Sequence, residues 1–364
     1  MNARGVALQG GLAALGLLAA LLTWQREPEG MPGEVTVLDI SKRALQRVRY
    51  DDATRFVEVF REQDGELWVR LGDKPKPPPP PAAAADGGVG DGGVASGPTD
   101  AGTAPVATTG AGDAGVAAAP PAPPPPPPPP RELRANQTAE TLFGRLAPLK
   151  GTRALGDLDA KKLEELGLVN SPRKLTFTVD GREQVLTIAA PAGAAWGSPY
   201  ALREDNKVFL LGSAVLPDFE GGMNRLVDRR LHTFEESEYD SFTVTQGKSS
   251  RAFVVSGKPP KAVTVAPQTA PDKPDEFVHN WHDRIWRMLP VDVLGRGEEP
   301  PGGAPEEVFR VDYRKGTQAL GYLSVARGEK GEFYAKTEHT AGWVRFHSGL
   351  ETVVNEAVKV ASGT

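Results

Sequence analysis

The chain contains no cysteine. That absence removes a disulfide framework, a thiolate zinc site, a cysteine nucleophile and the acceptor of a lipoprotein anchor. A basic excess is missing too, since 42 Lys and Arg stand against 47 Asp and Glu for a net charge of −5. Residues 73–130 supply three of those charges, with Asp73, Asp86, Asp91, Asp100 and Asp113 outnumbering Lys74 and Lys76. What remains is nearly neutral and lacks the positive face a phosphate backbone requires, so no nucleic-acid partner is expected.

Long apolar runs are confined to one place. From Gly5 to Trp24 the chain carries no charge, about 20 residues and enough to cross a hydrocarbon core as a helix. Arg4 precedes the run, and Arg26, Glu27 and Glu29 follow it. This bias favours a cytoplasmic N-terminus and an extracytoplasmic bulk. A cleaved signal peptide is the rival reading, because the run is rich in alanine and glycine. No small-x-small cleavage site stands directly before Trp24-Gln25-Arg26, and a tryptophan at that boundary suits an interfacial anchor. The expectation is a single-pass inner-membrane protein, anchored through residues 5–24, with its bulk in the periplasm.

Residues 73–130 cannot build a core. Proline runs at Pro77 to Pro81 and Pro123 to Pro130 bracket an Ala/Gly/Asp/Thr stretch, stiff where proline dominates and flexible between.

Outside that linker the sequence repeats itself. GREQVLTIAAPAGAAWGSPYALREDNKVFLLGS from Gly181 matches GTQALGYLSVARGEKGEFYAKTEHTAGWVRFHS from Gly316, aligning Gly197 and Tyr200 with Gly331 and Tyr334, and Ser213 with Ser348. Upstream, the segment from Leu38 resembles the one from Thr233. A tandem of related units argues for a scaffold before it argues for chemistry. In the second copy only Ala266 to Pro274 stands where the first has its linker, so the linker reads as an expanded loop.

The pattern predicts an α+β fold: two related units of mainly antiparallel strands with helices, after an N-terminal transmembrane helix. Residues 1–30 form the anchor and its flank, 31–72 a three-stranded meander docking on the body, and 73–131 the linker. Residues 132–230 make the first α+β unit and 231–364 the second. The meander turns at Asp51-Asp52 and Asp64-Gly65, and it is too small to fold alone. Helices are expected at Gln137 to Leu146, at Asp159 to Leu166 with Asp159 as cap, near Ala214 to Leu226, and at Asp275 to Leu289. Strands Lys174 to Val179 and Glu183 to Ala189 meet at Asp180-Gly181, and Tyr200 to Arg203 and Lys207 to Leu211 meet at Asp205-Asn206. Ser348-Gly349-Leu350-Glu351 reads as a capping box for the last helix.

The segments EELGLVNSPRKLTFTV, GSPYALREDNKVFLL and RLVDRRLHTFEESEYDSFTV together resemble a bacterial domain-of-unknown-function family, numbered four-three-four-zero. Its Gly-Leu and proline element corresponds to Gly167, Leu168 and Pro172, and its Arg-x-Leu element to Arg230 and Leu231 before Phe234. The resemblance implies an N-terminal membrane anchor and membrane-protein partners, ABC-type transport components of the gliding-motility kind. It names no catalytic residue.

No motif carries a reaction. Residues 88–93 satisfy G-x-G-x-x-G, yet low complexity surrounds them where a strand and a helix are needed. Gly247-Lys248-Ser249 lacks the first glycine of a phosphate loop and reads as a turn. His279 and His282 stand three apart on a helix without a third ligand, beside a core stripe of Val278, Trp281, Ile285 and Leu289. Glu235, Glu236, Glu238 and Asp240 read as a charged turn. The chain is therefore not expected to be an enzyme, and no catalytic, cofactor or metal residues are assigned. Trp196, Tyr200, Tyr334 and Trp343 are the candidate interaction surface, since aromatic faces accept partners, sugars or acyl chains. The expected function is an extracytoplasmic accessory or scaffold protein of an envelope machine; the alternative is a module binding an envelope glycan or lipid.

Overall fold

Strands that alternate between apolar and polar residues need a covered face, and this chain supplies one by forming two antiparallel sheets, each backed by helices. The computed structural model describes residues 33–75, 126–190, 197–257 and 263–363. The apolar run 5–24, most of the linker, the 88–93 motif and Trp196 lie outside the described residues. Among the described residues no helix is long and apolar enough to cross a membrane.

The first sheet holds β1 (Val35–Leu38), β2 (Leu45–Asp51), β3 (Arg55–Arg61), β4 (Leu67–Asp73), β5 (Arg131–Arg134), β6 (Leu149–Asp157), β7 (Arg173–Val179), β8 (Arg182–Ala189), β9 (Tyr200–Leu202) and β10 (Lys207–Leu211). Their order is β1-β6-β10-β9-β8-β7-β2-β3-β4-β5. Helices α1 (Gln137–Arg145), α2 (Ala160–Glu165) and α3 (Leu216–Leu226) accompany it. Residues 33–72 belong to this sheet: Val48 of β2 pairs with Phe177 of β7, and both are fully buried. β4 pairs with β5, Leu71 opposite Arg131, so the long linker is the loop of a β-hairpin.

The second sheet holds β11 (Ser241–Gln246), β12 (Ser249–Ser256), β13 (Thr264–Pro267), β14 (Asp292–Val293), β15 (Glu306–Lys315), β16 (Gln318–Arg327), β17 (Phe333–Thr337) and β18 (Val344–Arg345). Read from its far edge the order is β14-β18-β17-β16-β15-β11-β12-β13. Helix α4 (Glu276–Trp286) and, after a short 3-10 turn, α5 (Glu351–Ser362) complete it. The Trp281 indole of α4 donates to the Val353 carbonyl of α5 at 2.9 Å, which fixes the two helices together.

Strand for strand, this order equals β6-β10-β9-β8-β7-β2-β3-β4 of the first sheet. Ladder register carries the equivalence to single residues. Tyr200 lies opposite Ala189, and Tyr334 lies opposite Ala326. Val48 faces Phe177 as Phe242 faces Tyr313. The helix caps agree as well: Asn136 accepts from the Ala139 amide and Asp275 from the Val278 amide. One shift separates sequence match from structure. The first hairpin turns on Asp180 and Gly181, both at positive φ, whereas the second turns on Gly316 and Thr317 with only Gly316 positive. Gly181 and Gly316 therefore differ by one place in their turns.

Three local expectations change. Leu289 is 81% exposed, because α4 ends at Trp286 and the helical stripe stops with it. No side-chain bond caps α5, since a 3-10 turn absorbs Ser348 to Leu350. β1, β5, β6 and β14 complete the sheets although their residues carry no clear alternation. Asp159 does cap α2, accepting from the Lys162 amide at 2.8 Å.

Candidate functional site

The two sheets meet edge to edge where β5 approaches the residues after β14. The Arg296 amide donates to the Glu132 carbonyl at 2.8 Å. Its guanidinium lies 3.5 Å from the Trp68 ring centroid and pairs with Glu62 at 2.8 Å. Arg131 reaches back from β5 to Asp292 at 3.3 Å and Glu298 at 2.7 Å. So close an approach needs glycine. A Cβ on Gly295 would stand 3.0 Å from the Glu132 nitrogen, and one on Gly342 would fall against the Gly295 carbonyl oxygen and 2.8 Å from that of Leu294.

A second tie holds the connector between the units. Asp228 follows α3, and its carboxylate meets His339 Nε2 at 2.9 Å. His232, four residues on, meets Glu338 through Nδ1 at 3.1 Å. Burial alone would raise the Asp228 carboxyl, but hydrogen bonds from His339 and Arg230 outweigh it and hold the group well below the usual carboxylate range. Glu338 is lowered against the same burial by His232 and the Tyr322 amide.

His232 also stacks on Trp286 at 5.0 Å, at the border of an aromatic cluster with Phe234, Tyr239, Phe242 and Tyr313. Inside it His282 stacks on Phe242 at 4.4 Å. Burial pushes the His282 imidazole down to about 3 and the Tyr313 phenol well up. Neither His282 Nε2 nor the Tyr313 hydroxyl has a hydrogen-bond partner. Both groups are thereby held neutral inside the core.

Where the seam meets the linker, a groove of about 670 Å³ opens between the units. Phe56, Val57 and Leu71 form its wall from the first sheet, Met223 and the kinked Gly222 of α3 form another, and Gly295 to Glu298 close it from the second unit. Pro128 to Pro130 lie along it. Junctions between units are common places for ligand clefts, and this one joins apolar walls to a charged rim of Arg55, Asp73, Arg296 and Glu298.

The aromatic residues singled out by sequence do not gather here. Tyr200 is half-buried on the first sheet, and Trp343 is half-buried beside β18, with the Lys336 ammonium 4.9 Å from its ring centroid. Tyr334 is 2% exposed and offers no surface, because a Cβ on Gly328 would meet its ring at 2.8 Å. Of the charged turn, Asp240 accepts from the Gly316 amide at 2.8 and 3.0 Å and so braces the β15–β16 hairpin. Gly247 and Lys248 form the β11–β12 turn. Among the described residues no three His, Asp or Glu side chains come together as a metal ion would require.

Sequence reasoning missed the seam and both histidine–carboxylate ties, whose members stand more than 100 residues apart. Comparison with protein-family models, with curated proteins and with solved structures finds no match for this chain.

Proposed function

We propose that this protein is a membrane-anchored, extracytoplasmic scaffold or accessory subunit of a bacterial envelope machine, with an ABC-type transport system as its partner. In this reading the two sheets are copies of one ancestral unit, and residues 5–24 tether the pair to the inner membrane. The observation that carries the scaffold part is the seam. Two units of the same strand order are fixed to each other by a backbone hydrogen bond, a stacked arginine and the part-buried Asp228–His339 pair, as a rigid presenting body needs. The tether rests on the uncharged run after Arg4, and the transport partner on the resemblance carried by Gly167-Leu168, Pro172 and Arg230-Leu231.

The test is crosslinking in membranes followed by co-purification of the full-length protein. The reading expects integral-membrane transport subunits to be retained, and to be lost when residues 1–30 are removed. A full-length protein that is recovered without membrane-protein partners contradicts it.

A second reading, an envelope glycan- or lipid-binding module, draws on the apolar groove between the units. Saturable binding of a glycan or lipid that Met223→Glu abolishes would favour it.

A further inference from the structure

A second, much smaller cavity lies at the junction of the units, beside the tie between Asp228 and His339. It measures about 10 Å³, the room that one water-sized sphere takes up. Segments from both units meet around it: Arg134 at the end of β5, Asp228 to Arg230 on the connector after α3, and His339 and Thr340 between β17 and β18. The buried side chains of Val293 and Val344 line it as well, so a charge held inside meets little solvent.

The donors around this space outnumber their acceptors. The Nε atoms of Arg134 and Arg229 are shut off from solvent, and among the described residues neither has a hydrogen-bond partner. A buried N–H without an acceptor is costly, and native proteins pair such groups with protein, water or an ion. Thr340 offers a further donor: its hydroxyl oxygen accepts from the Thr337 amide at 3.1 Å, which leaves the hydroxyl hydrogen to give. Charge leads the same way. Arg134 pairs with Glu66, and the Asp228 carboxylate is taken up by Arg230 at 2.7 Å and His339 at 2.9 Å. Arg229 donates to the neutral side-chain carbonyl of Asn224 at 2.8 Å, and among the described residues no carboxylate pairs with it. Glu140 and Glu235, whose charges reach Arg230, do not line the cavity. One guanidinium charge is thus left over beside buried donors, in a space too small for a sulfate or a phosphate.

We propose that this cavity is a binding site for one monatomic anion of the chloride class, held by the Nε–H groups of Arg134 and Arg229 and by the Thr340 hydroxyl. The ion touches β5 of the first unit and the β17–β18 loop of the second at once, so its binding tightens the junction. Asp228 keeps Arg230 and His339, and the ion adds to that tie without replacing it.

The probe is chloride itself, followed by the broadening of its NMR resonance in the presence of the full-length protein in non-ionic detergent. The protein should broaden the line; bromide should remove the broadening, and sulfate at equal ionic strength should not. Arg229→Gln should weaken chloride binding about tenfold, as loss of one charge-assisted hydrogen bond does. Arg153→Gln, which removes the same charge from an exposed place on β6, should leave the line as broad as before. Broadening that sulfate removes as well as bromide, or that both substitutions lower alike, arises from surface charge and overturns the proposal. A line that is not broadened at all also overturns it, since the cavity then takes water. The comparison of bromide with sulfate uses the unaltered chain, so it decides even where a variant fails to fold.

Discussion

On the first sheet the outward residues of β2 and β3 are Arg47, Arg49, Phe56, Glu58 and Phe60; at the same ladder positions the second sheet carries Ser241, Thr243, Ser250, Ala252 and Val254. In the first unit Glu58 is 1% exposed, with Arg70 at 2.9 Å and Arg47 at 3.5 Å. Arg49 covers Phe56 and Arg70 covers Phe60. At the compared positions β11 and β12 need no such cover, because their small residues leave little apolar area to shield. The difference follows the seam. Trp68 belongs to the same outward row as Phe60, and it is Arg296 of the second unit that lies over it. One topology therefore carries two surfaces, and the elaborate one is where the units meet and where the linker joins β4 to β5.

Cores differ as well as faces. Counting from the helix caps, Leu142 corresponds to Trp281 and Phe143 to His282. Trp281→Ala is expected to cost about 3–5 kcal/mol and Leu142→Ala about 2–5 kcal/mol. Because one apolar cluster runs through both units, each substitution should lower a single unfolding transition in calorimetry. Two separated transitions would break the comparison by showing units that melt alone.

The pair Gly342 and Lys207 sharpens it. Both precede equivalent strand positions, Trp343 and Val208, yet only Gly342 has the Gly295 backbone above it. Gly342→Ala should cost about 1–3 kcal/mol through overpacking, whereas Lys207→Ala should stay within about 0.5 kcal/mol. Equal denaturant midpoints for the two variants would remove the steric account of the seam.

His282 gives a pH-dependent contrast. Its folded value is depressed, so the stability of the neutral form is full above the unfolded value near 6.5 and is lost as pH falls toward about 3. His282→Phe installs the residue found at position 143. It should stabilise the protein by about 2 kcal/mol more at pH 5 than at pH 8. A gain that does not change with pH would mean that His282 titrates normally.

The smallest effect belongs to the linker. Deleting residues 82–121 shortens a hairpin loop and should change stability by no more than about 1 kcal/mol, as loop-closure entropy depends only weakly on length. A large loss in thermal unfolding would assign those residues a structural role that a solvated loop lacks.

Much of this fold was legible where chemistry is local. Asp180-Gly181 announced its hairpin because a two-residue turn needs left-handed conformers, and Asp159 and Asp275 marked helix starts because their carboxylates reach free amides. The match of Tyr200 with Tyr334 survived in the ladder even though the glycine match slipped by one place. β6 was not legible, since its Leu-Lys-Gly-Thr-Arg run shows little alternation and its pairing comes from β1 and β10, distant in sequence. The seam, the groove and the histidine ties were invisible for the same reason: each is assembled from segments that no spacing rule connects.

Hydrogen exchange at the seam tests the central claim most directly, that two like units are fixed into one body through the Arg296 amide and β5. Measured by mass spectrometry on peptides covering 131–135 and 291–297, the amides should exchange as slowly as those at the centres of β3 and β16. Exchange of the seam within seconds, while both sheets stay protected, would show two units that open from each other freely and would contradict the account.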